Sequence, residues 1–173
     1  MKKTLVIFAG SKEISDSDKV KLNTELMSFF EWVKNDIKKI IYWWWDIWVM
    51  WIVYNAALVS WIEIKWMSLE KYREYDELKD IEMNFYQNND ERIRAFYEKW
   101  DIFLALPGGL WTIREILTIN ELIKRNNDFK KIFVPLFFKS FYNLIDELER
   151  EKMIANEDVW NIIKINNLEE IKV

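Results

Sequence analysis

The sequence has no cysteine and no histidine. Without cysteine there is no disulfide, no thiolate nucleophile and no Cys-ligated zinc. Without histidine there is no Ser-His-Asp triad, no imidazole acid–base chemistry and no His-ligated metal. Any catalysis must rest on Asp, Glu, Lys, Arg, Tyr or hydroxyl groups, and neither a metal nor a cofactor is called for. Glycine and proline are scarce too, with 3 and 2 residues in 173, whereas tryptophan reaches 11. Glycine and tryptophan together come close to the share of about 7% that glycine alone usually takes. The net charge of −4 argues against nucleic-acid binding.

What is present reads as one globular domain over residues 1–173, since 51% of residues are hydrophobic and 31% charged, and the length suffices for a proper core. The start, "MKKTLVIFAGSKE", has too short an apolar run for a leader peptide. A first strand and a cytoplasmic protein are expected. "KTLVIFAG" (Lys3–Gly10) is a buried-strand run, followed by helical spacing from Ser15 to Asp36 with Ser/Asp caps. "IKKIIY" (37–42) is a strand, "IVYNAALVS" (52–60) a helix, and "WIEIKWMS" (61–68) and "DIEMNFYQ" (80–87) are strands. A helix over 89–100 takes Asn88, Asn89 or Asp90 as its cap. "DIFLALPGG" (101–109) is a strand ending in a turn. Helix 111–127, strand 130–138, helix 140–154 and strand 160–165 complete the chain. Alternating strands and helices predict an α/β fold, a Rossmann-like parallel sheet with helices on both faces.

In such folds ligands bind at the carboxyl ends of strands. "ALPGGLWTIREI" places Pro107, Gly108 and Gly109 between a strand and a helix. Glycines there let backbone N–H groups approach an anion, and the helix dipole favours a phosphate. Thr112 adds a hydroxyl, and Glu115, three residues on, shares its face. The bland alternative is a capped strand–turn–helix with an ordinary surface glutamate.

The stretch "PGGLWTIRE" resembles the PGGxGTxxE motif of the Lonely Guy family, the cytokinin riboside 5′-monophosphate phosphoribohydrolases, with Trp111 at a motif glycine. The family's second motif, YGGGxxGxMG, is matched by "YWWWDIWVMW". Tyr42 and Met50 agree, while Trp43, Trp44, Trp45, Trp48 and Trp51 stand on the glycines. "FAGS" (Phe8–Ser11) is similar to the family's F-C-G-S, and the resemblance runs from Leu5 to about Ile171. It implies a Rossmann-like homodimer that hydrolyses nucleoside 5′-monophosphates, with an arginine and the motif glutamate as its catalytic pair. These fall on Arg92 and Glu115. Around Arg92 the pattern departs, with Asn89-Asp90 where the family has Met-His and Ile93 where it has Lys. A solvated helix residue, with Arg94 only two positions away, is the plain alternative.

The chemistry implied is cleavage of an N-glycosidic bond through an oxocarbenium-like ribose. Glu115 would stabilise that cation or activate the attacking water, and Arg92 would hold the phosphate or the leaving base. Gly10, Ser11, Gly108, Gly109 and Thr112 would bind the nucleotide. Asp46 either touches the ligand or serves the turn. The partner implied is a small nucleotide. The alternative function is a non-catalytic nucleotide-binding module, since fold does not fix function.

The tryptophans also raise a membrane reading, since Ile40–Ile64 is long enough to span a bilayer. Asp46, Asn55 and Glu63 interrupt the stretch, and indoles belong at bilayer interfaces rather than throughout a span. The reading adopted is that a UGA codon, which some bacterial lineages read as glycine, has been translated as tryptophan. Abundant Lys, Ile and Asn fit the AT-rich gene this requires. A deliberately altered sequence is the alternative. Sequencing of the gene is expected to find UGA at positions 43, 44, 45, 48, 51 and 111, and UGG there would end the recoding account.

Overall fold

The computed structural model describes residues 2–10, 14–43, 49–75 and 82–172. The strands are β1 (Lys3–Phe8), β2 (Ile37–Tyr42), β3 (Glu63–Leu69), β4 (Glu82–Tyr86), β5 (Ile102–Ala105), β6 (Ile132–Pro135) and β7 (Ile162–Ile165). The helices are α1 (Asp16–Val33), α2 (Val49–Val59), α3 (Asn89–Lys99), α4 (Leu110–Arg125) and α5 (Lys139–Arg150). The strands form one 7-stranded sheet in the order β4-β3-β2-β1-β5-β6-β7, and every neighbouring pair is parallel. This is the Rossmann-like α/β arrangement that the alternation predicts.

The sequence of β1 shows why the sheet is covered on both sides. Leu5 and Ile7 pack with Leu22, Leu26, Phe29 and Phe30 of α1 and with Val49 and Val53 of α2. Val6 and Phe8, which point the other way, pack with Phe96 of α3, Ile116 and Ile119 of α4, and Phe141 of α5. All four β1 residues are at most 1% exposed, so the strand is apolar without alternation, as a doubly covered parallel strand must be. Phe8 stacks on Phe103 at 5.9 Å and meets Phe96 edge-on at 5.7 Å, the geometries that the ring quadrupole favours.

Local signals set several boundaries. The Ser15 hydroxyl accepts from Asp18 N–H at 3.2 Å and starts α1. Of the three cap candidates for α3, Asn88 is the one used, accepting from Glu91 N–H at 2.9 Å. Each satisfies an N–H that the helix itself cannot. Among the described residues no helix is long and apolar enough to cross a membrane.

Several boundaries shift by a few residues from the expectation, and one shift has a clear physical cause. The strand foreseen from Trp61 begins at Glu63, because Trp61 closes α2 instead. Its N–H donates to Leu58 C=O at 3.2 Å, and Ile62 N–H donates to Ala57 C=O at 3.1 Å. That pair of bonds is the Schellman closure, which places its penultimate residue in the left-handed region, usually as glycine. Trp61 has φ 57° and is 94% exposed, so the indole gains no packing for its backbone strain. None of the three glycines has positive φ. A seventh tryptophan thus occupies a glycine's place, here by backbone conformation. Trp61→Gly is expected to stabilise the fold by about 1 kcal/mol, since a side chain in the left-handed region costs about that much. Denaturant unfolding measures it, and a destabilised variant would remove Trp61 from the set.

Candidate functional site

Successive strands step one way from β1 to β4, and the chain then returns to place β5 on the other side of β1. The carboxyl ends of β1 and β5 therefore form the switch point, where such sheets bind ligands. The two chains stay paired past the strands. Leu106 N–H donates to Phe8 C=O at 2.7 Å, and Gly10 N–H donates to Pro107 C=O at 3.2 Å. Both glycines are compulsory there. A Cβ on Gly10 would lie 2.3 Å from Gly108 Cα, and one on Gly108 would lie 2.1 Å from Thr112 Oγ1. A Cβ on Gly109 would meet nothing within 4 Å, which leaves the start of α4 open to an approaching group. Gly109 caps α4 without a side-chain bond, so the first-turn N–H groups and the helix dipole are available to an anion.

Thr112 and Glu115 lie on the buried face of α4, at 2% and 4% exposure. The glutamate is thus no solvated surface residue. Its Oε1 accepts from Arg92 Nη2 of α3 at 2.6 Å. Arg92 is fully buried as well. Sequence spacing alone could not show that a residue 23 positions earlier would reach Glu115; the packing of α3 beside α4 brings them together. Burial pushes the Glu115 carboxyl above the usual carboxylate range, and the guanidinium pulls against that shift. Burial likewise works against the charge on Arg92, and Glu115 restores it. Arginine keeps its proton in proteins, so the guanidinium favours the charged form of the carboxylate.

The rest of Arg92 is set for a further group. Its Nε and Nη1 are buried and make no hydrogen bond. The Trp43 ring centre lies 3.5 Å from its Cζ, and Phe96 lies at 5.4 Å on the same helix. A second ion pair, Arg114–Asp90 at 2.9 Å, ties the starts of α3 and α4 near the surface. Neither Trp43's place on Arg92 nor the Arg114–Asp90 tie is foreseen by spacing, though Asp90 stands two residues from Arg92 and Arg114 directly precedes Glu115. On the other side of the Gly108 turn is a cavity of about 170 Å³ bordered by Asp18, Pro107, Phe138, Lys139 and Ser140. Lys139 opens α5 there, a cation at the same sheet edge.

Of the expected site residues, Arg92, Glu115, Thr112, Gly108, Gly109 and Gly10 gather at this edge. Ser11 and Asp46 lie outside the described residues, as do Trp44, Trp45 and Trp48. Trp51 is exposed on α2 and stacks on Tyr54 at 5.3 Å. Trp111 is exposed in the first turn of α4.

No family model and no curated protein matches the sequence. The fold is similar to that of the molybdenum cofactor binding protein from the phototrophic bacterium Rippkaea orientalis. The likeness has a TM-score of 0.66, covers 98% of this chain and 92% of that one, and comes with 11% identical residues. It extends the Rossmann-like architecture to a solved structure.

Removing one member of a buried ion pair strands the other charge and costs about 3–5 kcal/mol, whereas replacing both by apolar residues is often neutral. Glu115→Ala and Arg92→Ala are each expected to lose about that much stability. The double variant Arg92→Met with Glu115→Leu should lose much less. Denaturant unfolding of all three decides it, and additive losses would argue against a coupled pair.

Proposed function

We propose that the protein hydrolyses the N-glycosidic bond of a nucleoside 5′-monophosphate, releasing the free base and ribose 5-phosphate. The observation that carries this reading is the buried Arg92–Glu115 pair beside the Gly108–Thr112 helix start. The resemblance of "PGGLWTIRE" to the Lonely Guy motif supports it, because it singles out the same two residues that the packing of α3 and α4 joins.

In this reading the 5′-phosphate sits against the Gly109 end of α4, on N–H groups and the Thr112 hydroxyl. The C1′–N bond of the nucleotide stretches as its electrons move to the base, and positive charge grows on C1′ and the ring oxygen. Glu115, in a dry site where charges act strongly, faces that charge or takes the proton of the attacking water. The water oxygen bonds to C1′, and the base leaves with the proton that the water gives up, directly or through Glu115. Arg92 holds the carboxylate ionised despite burial. The same resemblance carries a cytoplasmic homodimer, for which Leu58 and Val59, half exposed at the end of α2, supply apolar surface.

A second reading has its own support. The similar fold from Rippkaea orientalis bears the name of a cofactor binding protein, so a module that binds a nucleotide without cleaving it fits the same edge. Incubation with adenosine monophosphate separates the two. The chain with glycine at positions 43, 44, 45, 48, 51 and 111 is expected to release adenine, and the chain as written to be insoluble or inactive. In the glycine form, Glu115→Gln should lower kcat by at least about 100-fold, the scale of a lost general acid–base group. Binding without release would leave the non-catalytic module standing. Equal activity with the tryptophans in place would overturn the account of those positions.

A further inference from the structure

Trp43 lies against two planar groups. One is the Arg92 guanidinium, 3.5 Å from its ring centre. The other is the Tyr72 ring, 6.2 Å away and tilted by 40°. Tyr72 comes from the short helix Glu70–Tyr75 after β3, and Arg92 from α3, so the slot is built by elements apart from the Gly108 turn. The indole leaves its surroundings unsatisfied. Trp43 Nε1 is buried without a partner, and so are Arg92 Nε and Nη1. Buried donors of this kind are ordinarily paired, and a charged guanidinium with two idle N–H groups is the costlier case. An indole covers the guanidinium face but has no acceptor for donors that lie in the guanidinium plane.

We infer that the space filled by the Trp43 indole is the base subsite, in which a purine lies on the Arg92 face with Tyr72 as its second wall. Three features set the ligand class. The slot is already filled by a fused bicyclic ring, which stands in for a purine. Arginine stacks on aromatic faces through its planar cation. Glu115 cancels the charge of Arg92, so the face favours a flat neutral ring, while the start of α4 remains the place for a phosphate. The idle Arg92 donors then find acceptors on the sugar or phosphate of the same nucleotide. Tyr72 is a specificity residue in this arrangement, holding the base by stacking and taking no part in bond breaking. The inference rests on the nucleotide reading for the identity of the ligand.

Adenine and ribose 5-phosphate, titrated separately by calorimetry, test it. In the chain with glycine at positions 44, 45, 48, 51 and 111, Trp43→Gly should bind adenine at least about tenfold more tightly than the same chain with Trp43 in place, as stacking on one ring is worth about that factor. Trp43→Ala serves if the glycine variant fails to fold. Adding Tyr72→Ala should remove that gain, Tyr72→Phe should keep it, and neither should change ribose 5-phosphate affinity. Adenine bound equally with Trp43 in place, or indifference to Tyr72→Ala, would overturn the subsite, as would equal loss of both ligands. Tyr72-dependent adenine binding without cleavage of adenosine monophosphate would sink the hydrolase reading and leave the subsite. Cleavage with a KM that ignores Tyr72→Ala would do the reverse.

Discussion

At the centre of the sheet the backbones of Gly10 and Gly108 approach until a Cβ on the first would lie 2.3 Å from the Cα of the second. The rest of the site hangs on that approach. It lets the loops after β1 and β5 stay hydrogen-bonded beyond the strands, which brings the start of α4 down onto the sheet edge. Thr112 then packs over Gly108 with no room to spare, and Glu115, one turn further along, is carried under the surface. Any side chain at either glycine would lever α4 outward, and the carboxylate would return to water as an ordinary acid.

Burial gives the second ingredient its character. An unpaired carboxylate in this position would be protonated rather than remain charged. Arg92 opposes that protonation, and a carboxylate paired with a guanidinium presents almost no net field at the sheet edge. The start of α4 keeps its dipole a few residues away. The edge is therefore divided into a place that attracts anions and a place that is flat and neutral. In the proposed reading a nucleotide, with the same division between phosphate and base, would enter such an edge in one direction.

The architecture was largely legible from residue pattern. Doubly covered parallel strands have to be apolar throughout, and "TLVIF" and "IFLAL" can hardly be read otherwise. The PGG turn declared itself because few residues allow so close an approach. Arg92 was found by offset from that turn, and only packing shows that it is buried and paired. The tryptophans were legible as misplaced glycines where a motif surrounded them. Trp61 was not, since a single exposed aromatic after a helix looks like the start of a β-strand. Its backbone angle and the two closing hydrogen bonds reveal the helix end. Trp43's stacking on Arg92 had no sequence signal at all, because it joins the end of β2 to the first turn of α3 through space.

The strand order has a consequence for how the polypeptide is made. The central strand β1 meets β2 early, but its other neighbour, β5, is about a hundred residues away, as the Thr4 N–H to Asp101 carboxylate bond across 97 positions shows. Parallel neighbours cannot be joined by a tight turn, and non-local pairing of this kind is slow. During synthesis at about 5–20 residues per second, the emerging β1–β4 half would therefore wait several seconds with one edge of its most apolar strand unpaired. Such an edge is a template for pairing with another chain. The nascent half-sheet is the stage at which this protein is most exposed to aggregation, and where a chaperone would find its substrate.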